Sequence, residues 1–231
     1  MTGRINAGGR MAALIDIDGT LVDSTYLHAS AWSSAIRVCG FDIPTSRAHR
    51  LIGMRGERLL EELLGQRDAA SVAERAIDEH ARRFAAVRDQ VVPLPHARHL
   101  LERLVARDVV AVLVSSAERH EVEYYVGLLE AEDLVWASTS AADGSQSKPD
   151  PEPIQIALQQ SGCGAAVVIG DSPWDCLAAS AAGLPAVTVL TGGFARSELE
   201  GAGAEAVYEH LGELADDLDR VGGLAVHAGA G

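Results

Sequence analysis

Asp16, Asp18 and Asp23 close an otherwise apolar run, ALIDIDGTLVDS, over residues 13–24. Such a run reads as a buried strand, and on a strand side chains two residues apart share a face. Asp16 and Asp18 therefore bring two like charges together, which repel unless a cation lies between them or one of them keeps its proton. Their chemistry is that of a shared cation or a shared proton. One unusual cation is at hand: of the 19 basic residues 18 are arginine, and Lys148 is the one lysine. This chain writes Arg wherever any cation suffices. Lys148 is thus either a required compact ammonium or a chance survivor of an Arg-rich composition.

The elements that must position these groups follow from hydrophobic patterning. Apolar runs at 12–18, 109–116, 134–138, 166–172 and 186–193 read as strands covered on both faces, as in a parallel sheet. Helical patterns at 97–108, 118–132, 152–162 and 174–183 alternate with them. The expected class is α/β, a doubly wound parallel sheet. Residues 25–90 break the alternation with helices alone and end at the extended VVPLP. They read as an inserted all-helical cap on a core formed by 12–24 and 91–222. The ends, 1–11 and 223–231, read as disordered tails. In open parallel sheets ligands gather beyond the carboxyl ends of the strands. Asp16 and Asp18, Ser115 and Ser116, and Asp171 fall there, with Lys148 in the loop after the third strand.

Each local motif has a plain structural reading. Asp-Gly suits a turn. In GDSPWD, Ser172, Pro173 and Asp175 suit a helix start with a capping box, as does Ser115 with Glu118. Asp150 and Pro151 in KPDPEP do the same. Taken in order, however, strand–Asp-x-Asp-Gly-Thr, strand–Ser, Lys-Pro and strand–Gly-Asp-x-x-x-Asp resemble the four motifs of the haloacid dehalogenase superfamily, in its phosphatase-like branch with a helical cap. The resemblance spans about residues 12 to 193.

That resemblance implies a set of roles. Asp16 is the expected nucleophile, forming an aspartyl-phosphate, and Asp18 the acid toward the leaving oxygen and then the base toward water. Lys148 is the expected third catalytic group. Mg²⁺ is the implied cofactor, held by Asp16, the Asp18 backbone carbonyl, Asp171 and Asp175. Ser115 and Ser116 are expected to hold the phosphate. In the cap, His28 and Trp32 share a helix face, and the H-x-x-x-W pattern resembles that of β-phosphoglucomutases. His28 and Arg55 are the expected substrate contacts; core packing and a solvated helix face are their structural alternatives.

The function expected is hydrolysis of a small phosphorylated metabolite, phosphoglycolate-like or sugar-phosphate-like. The alternatives are a β-phosphoglucomutase-like phosphotransferase and, remotely, a non-catalytic binding protein. Gly170-Asp171 with Asp175 departs from the Glu-Asp of the mutases and favours hydrolysis. His96 stands where relatives place a glycine.

The bulk properties agree. A net charge of −14 argues against nucleic acid or an anionic membrane as partner. No apolar run approaches the ~18 residues of a membrane span, and MTGRINAGGRM lacks the apolar core of a signal peptide. Cys39, Cys163 and Cys176 show no paired spacing and read as reduced core thiols in a cytoplasmic protein. Monomer and homodimer both fit.

Overall fold

Parallel pairing joins six strands into one sheet: β1 Met11–Asp16, β2 Val110–Val114, β3 Ala137–Thr139, β4 Ala165–Gly170, β5 Ala186–Val189 and β6 Ala206–Tyr208. Their order is β3-β2-β1-β4-β5-β6. The order reverses between β1 and β4, the place where an open sheet leaves a crevice beyond its strand ends. The computed structural model describes residues 10–221. The tails expected at 1–11 and 223–231 lie outside the described residues except at 10 and 11, and Met11 already belongs to β1.

Strands β1, β2, β4 and β5 are buried on both faces because their apolar residues serve two layers in alternation. Ala13 and Ile15 join Leu100, Leu104, Tyr125 and Leu211 in one core cluster. Ala12 and Leu14 join Ile154, Ala157 and Cys176 in the other. The first layer is carried by α5 (Ala97–Val105), α6 (Arg119–Leu128) and α10 (Leu211–Asp216), the second by α7 (Glu152–Ser161) and α8 (Pro173–Ala181). Burying each such Leu or Ile contributes roughly 1.5–3 kcal/mol. Cys176 is buried, but Cys39 and Cys163 are only half-buried, so the core reading fits one thiol of the three.

Between β1 and β2 run α1 (Thr25–Val38), α2 (Thr45–His49), α3 (Gly56–Leu64) and α4 (Gln66–Ala85). They pack around their own apolar cluster, which includes Trp32, Ile36, Leu59, Leu60 and Ala76.

Several local expectations are corrected. Strand β1 ends at Asp16 rather than Asp18, because the chain turns at once: the amides of Thr20, Leu21 and Val22 all donate to the Ile17 carbonyl. The third strand is shifted from 134–138 to Ala137–Thr139. Ser115 does not cap α6; Glu118 occupies that position, and Ser115 Oγ accepts from the Ala117 amide at 3.0 Å. Strand β6 and helices α2, α9 (Arg196–Gly201) and α10 had no expectation.

Candidate active site

Strand register assembles the site. Asp16 pairs with Val114, one residue before Ser115, and Ile15 pairs with Ile169, two before Asp171. The carboxyl ends of β1, β2 and β4 therefore deliver Asp16, Ser115 and Asp171 to one edge. Asp175 arrives by a second route, as the third residue of α8, where its carboxylate completes a capping box with Ser172. Its other oxygen accepts from Lys148 Nζ at 2.7 Å, and the same ammonium contacts Asp16 Oδ1. The helix cap and the ion pair are thus one residue's two contacts.

Oxygens of Asp16, Asp171 and Asp175 all lie within 4.8 Å of one another, and all three residues are buried. Asp18 is not part of this cluster. Its side chain turns away to accept from Ser24 Oγ and to approach His28 Nε2 at 3.3 Å, leaving only its backbone carbonyl for the expected ligand role. Thr20, read from sequence as a turn residue, carries more: its hydroxyl donates to Asp171 Oδ1 at 2.7 Å and lies 3.4 Å from Asp16 Oδ2.

Three buried carboxylates against one ammonium leave two formal negative charges uncompensated. The titration behaviour reflects that excess. Burial, with the Asp175 and Asp18 charges, pushes Asp16 up to about 7 against the pull of Lys148. Burial and the charges of Asp16 and Asp175 hold Asp171 well above the usual carboxylate range. Burial alone would lower the Lys148 ammonium, but Asp16 and Asp175 outweigh it and hold it up. Burial also disfavours the Asp18 carboxylate, yet His28 and Ser24 outweigh it and keep that group below its ordinary value. An all-oxygen donor set with two surplus negative charges fits a hard divalent cation.

The remaining expected residues gather around the same edge. Ser115, Ser116, Lys148 and Arg55 line a small pocket of about 20 Å³. Ser116, Arg55, His28 and Asp18 line a larger cavity of about 210 Å³ between the sheet edge and α1–α4. Arg55 reaches across the seam to donate to the Gly144 carbonyl at 2.8 Å. His28 stacks on Phe84, with centroids 3.7 Å apart, and its Nδ1 meets His80 Nε2 at 3.2 Å. His28 therefore packs, as its structural alternative has it, and it also faces Asp18 at the cavity wall. Sequence reasoning missed the contacts of Thr20, which stands in the Asp-x-Asp-Gly-Thr motif but looks like a turn residue, and of Ser24 and His80, which carry no motif.

Comparison with known proteins agrees with this geometry. The family model for haloacid dehalogenase-like hydrolases matches residues 13–189. Validoxylamine A 7'-phosphate phosphatase of Streptomyces hygroscopicus subsp. limoneus is 30% identical over 186 residues, 78% of this chain and 85% of that protein. Phosphoglycolate phosphatase of Rhodospirillum rubrum is 36% identical over 130 residues, 54% of this chain and 52% of that protein. Among solved structures, a hydrolase from Pseudomonas syringae superposes with a TM-score of 0.86 at 32% identity, covering 92% of this chain and 99% of that one. Among the described residues no helix is long and apolar enough to cross a membrane. The strand-end carboxylates, their order along the chain and the match from 13 to 189 converge on one conclusion: this chain belongs to the haloacid dehalogenase-like hydrolases and is a phosphomonoester hydrolase.

Proposed function

We propose that the protein is a Mg²⁺-dependent phosphatase of a small phosphorylated metabolite, working through an aspartyl-phosphate on Asp16. The observation that carries this reading is the contact of one buried ammonium, Lys148, with both Asp16 and Asp175 inside a carboxylate cluster. Asp16, Asp171 and Asp175, with the Asp18 carbonyl, are the residues that would hold the cation. When bound, it supplies charge neutralisation for the carboxylates and the phosphate oxygens.

The protein's own groups divide the remaining work. Asp16 Oδ attacks phosphorus as the ester P–O bond breaks, and the alcohol leaves with a proton from Asp18. His28 and Ser24 keep Asp18 ionised in the free protein; an arriving phosphate dianion raises its proton affinity by like-charge repulsion, and Asp18 takes up from solvent the proton it then donates. Asp18 then takes a proton from the water that attacks the acyl-phosphate, releasing inorganic phosphate and restoring Asp16. Lys148 stabilises negative charge on Asp16 and on the transferring group. Ser115 and Ser116 orient phosphate oxygens from the small pocket. Residues 25–90 act as the cap on a core of 12–24 and 91–222, enclosing the leaving group and excluding polymers.

Gly170 supports hydrolysis over phosphotransfer. A Cβ there would overlap Asp175, so the Glu-Asp pair of the mutase pattern has no room beside Asp175 in its present place. The test is phosphate release from a panel of phosphorylated metabolites with Mg²⁺. EDTA and Asp16→Asn are each expected to abolish it; release that survives both rejects the mechanism.

A further inference from the structure

We propose that His49 is a positioning residue for the cation site. Through the Gly192 carbonyl it holds the wall of Asp171, so docking of α2 onto the core and loading of the carboxylate cluster are one linked event. The inference rests on the cation reading above and adds to it a residue from outside the cluster.

The contacts run through one short turn, Leu190–Gly192, which follows β5. On its inner side Gly192 is buried against Asp171, and a Cβ there would overlap the carboxylate. A Cβ at Gly19 would overlap the same oxygen, Asp171 Oδ2. Thr191 ties these two glycines together, its hydroxyl donating to the Gly19 carbonyl at 2.5 Å. Two bare backbone segments thus wall one oxygen of the cluster, while Thr20 holds the other, Oδ1, at 2.7 Å.

On its outer side the turn is held by α2. His49, the last residue of that helix, is 6% exposed, and its Nε2 lies 2.8 Å from the Gly192 carbonyl. A carbonyl only accepts, so Nε2 carries the hydrogen and His49 donates. Tyr26 and Phe194 stack on the same ring, with centroids at 4.7 and 5.4 Å. Gly193 makes room for this stack: its φ is +83°, and a Cβ there would overlap the Tyr26 hydroxyl. The Gly-Gly pair that ends VTVLTGG is therefore required on both sides, by Asp171 within and by α2 without.

Removing the donor leaves a buried carbonyl unpaired, and the turn must shift to find it another partner. A shift of Gly192 moves the wall off Asp171. Mg²⁺ demands near-ideal octahedral geometry, so a displaced carboxylate is felt as lost affinity. Linkage makes the coupling reciprocal: a bound cation strengthens the docking of α2 by the same factor.

The experiment titrates Mg²⁺ into the whole chain by calorimetry and follows hydrogen exchange of peptides spanning 45–51 with and without the ion. His49→Phe keeps a ring in the stack and removes the donor. Its Mg²⁺ Kd should rise roughly 5–150-fold, the usual range of coupling between sites. His49→Gln, which can still donate to the carbonyl, should recover part of that loss. Arg50→Met loosens the same junction by removing the guanidinium that pairs with Glu198, but leaves Gly192 its donor, and should bind as the parent does. In the parent Mg²⁺ should slow exchange over 45–51; in His49→Phe at saturating Mg²⁺ that response should vanish. An unchanged Kd in His49→Phe, an equal loss in Arg50→Met, or no slowing in a parent that binds the ion overturns the role of His49. Should His49→Phe fail to fold, the parent's exchange and the Kd of His49→Gln against that of Arg50→Met decide. A parent that binds no Mg²⁺ overturns the cation reading and this inference with it; binding that is indifferent to residue 49 overturns this inference alone.

Discussion

Lys148 is 2% exposed and its three donors serve two carboxylates from different segments. A guanidinium is larger and planar and presents its donors in a fixed fork, so it does not fill the same space. Lys148→Arg is expected to lower kcat/KM roughly 10²–10³-fold, the usual cost of losing one preorganised donor. Steady-state kinetics with p-nitrophenyl phosphate measures it, and near-normal activity would show that any cation suffices at 148. The composition had left that choice open, and the burial now favours the requirement. Asp16, Lys148, Asp171 and Asp175 were legible in sequence because each stands beside a strong local signal, a strand end or a proline-marked helix start. Thr20 was not legible. Its partner Asp171 is 151 residues away, and nothing in Asp-Gly-Thr separates a turn hydroxyl from one that orients a carboxylate.

Among the elements, α1 and α4 meet through His28, His80, Trp32 and Phe84, a continuous stack of rings. His80 faces His28 and, beyond it, Asp18. Burial and the His28 charge depress it from 6.5 to about 2, with Asp18 opposing. The folded protein therefore keeps His80 neutral, while the unfolded chain takes up a proton below about pH 6.5. Stability is full above that pH and declines as the pH falls toward 2, by at most about 1.4 kcal/mol per pH unit for one proton. His80→Phe keeps a ring in the stack and removes the titration. Its denaturation midpoint should fall less steeply between pH 7 and 5 than that of the parent; parallel declines would contradict the assignment. The long elements were legible because their periodicity is strong. Strand β6 has only three residues and α2 only five, too short to show a period, and both are held by their neighbours rather than by their own pattern. The early end of β1 was hidden for a different reason: Ile17 looks like strand but serves as the acceptor of a turn.

At the scale of the whole molecule, the helices between β1 and β2 are fastened to the core on either side of the cavity. Arg55 reaches Gly144 on one side. On the other, His49 Nε2 meets the Gly192 carbonyl at 2.8 Å, and the Trp174 indole donates to the Arg50 carbonyl at 3.0 Å. Gly192 also lies so close to Asp171 that a Cβ there would overlap its carboxylate. One short loop thus supports the cap contact and the carboxylate cluster together. Burial and mutual repulsion of those carboxylates, which raise Asp16 and Asp171, weaken the fold until a cation joins them. At a hundredfold excess over its Kd, a bound cation adds about 2.7 kcal/mol. For a protein of this size that corresponds to roughly 5–10 °C in Tm. Mg²⁺ should raise Tm by several degrees, and Asp171→Asn should remove the response. An unchanged Tm with Mg²⁺, or an equal rise in the variant, would contradict a cation site at these carboxylates.

The most direct measurement is to quench the protein in acid during turnover of a labelled phosphate ester and locate the label by peptide mass spectrometry. The account predicts phosphate on the peptide carrying Asp16, at that side chain, and none in Asp16→Asn. Turnover that proceeds with no phosphate on residue 16, or with phosphate on another side chain, would contradict it.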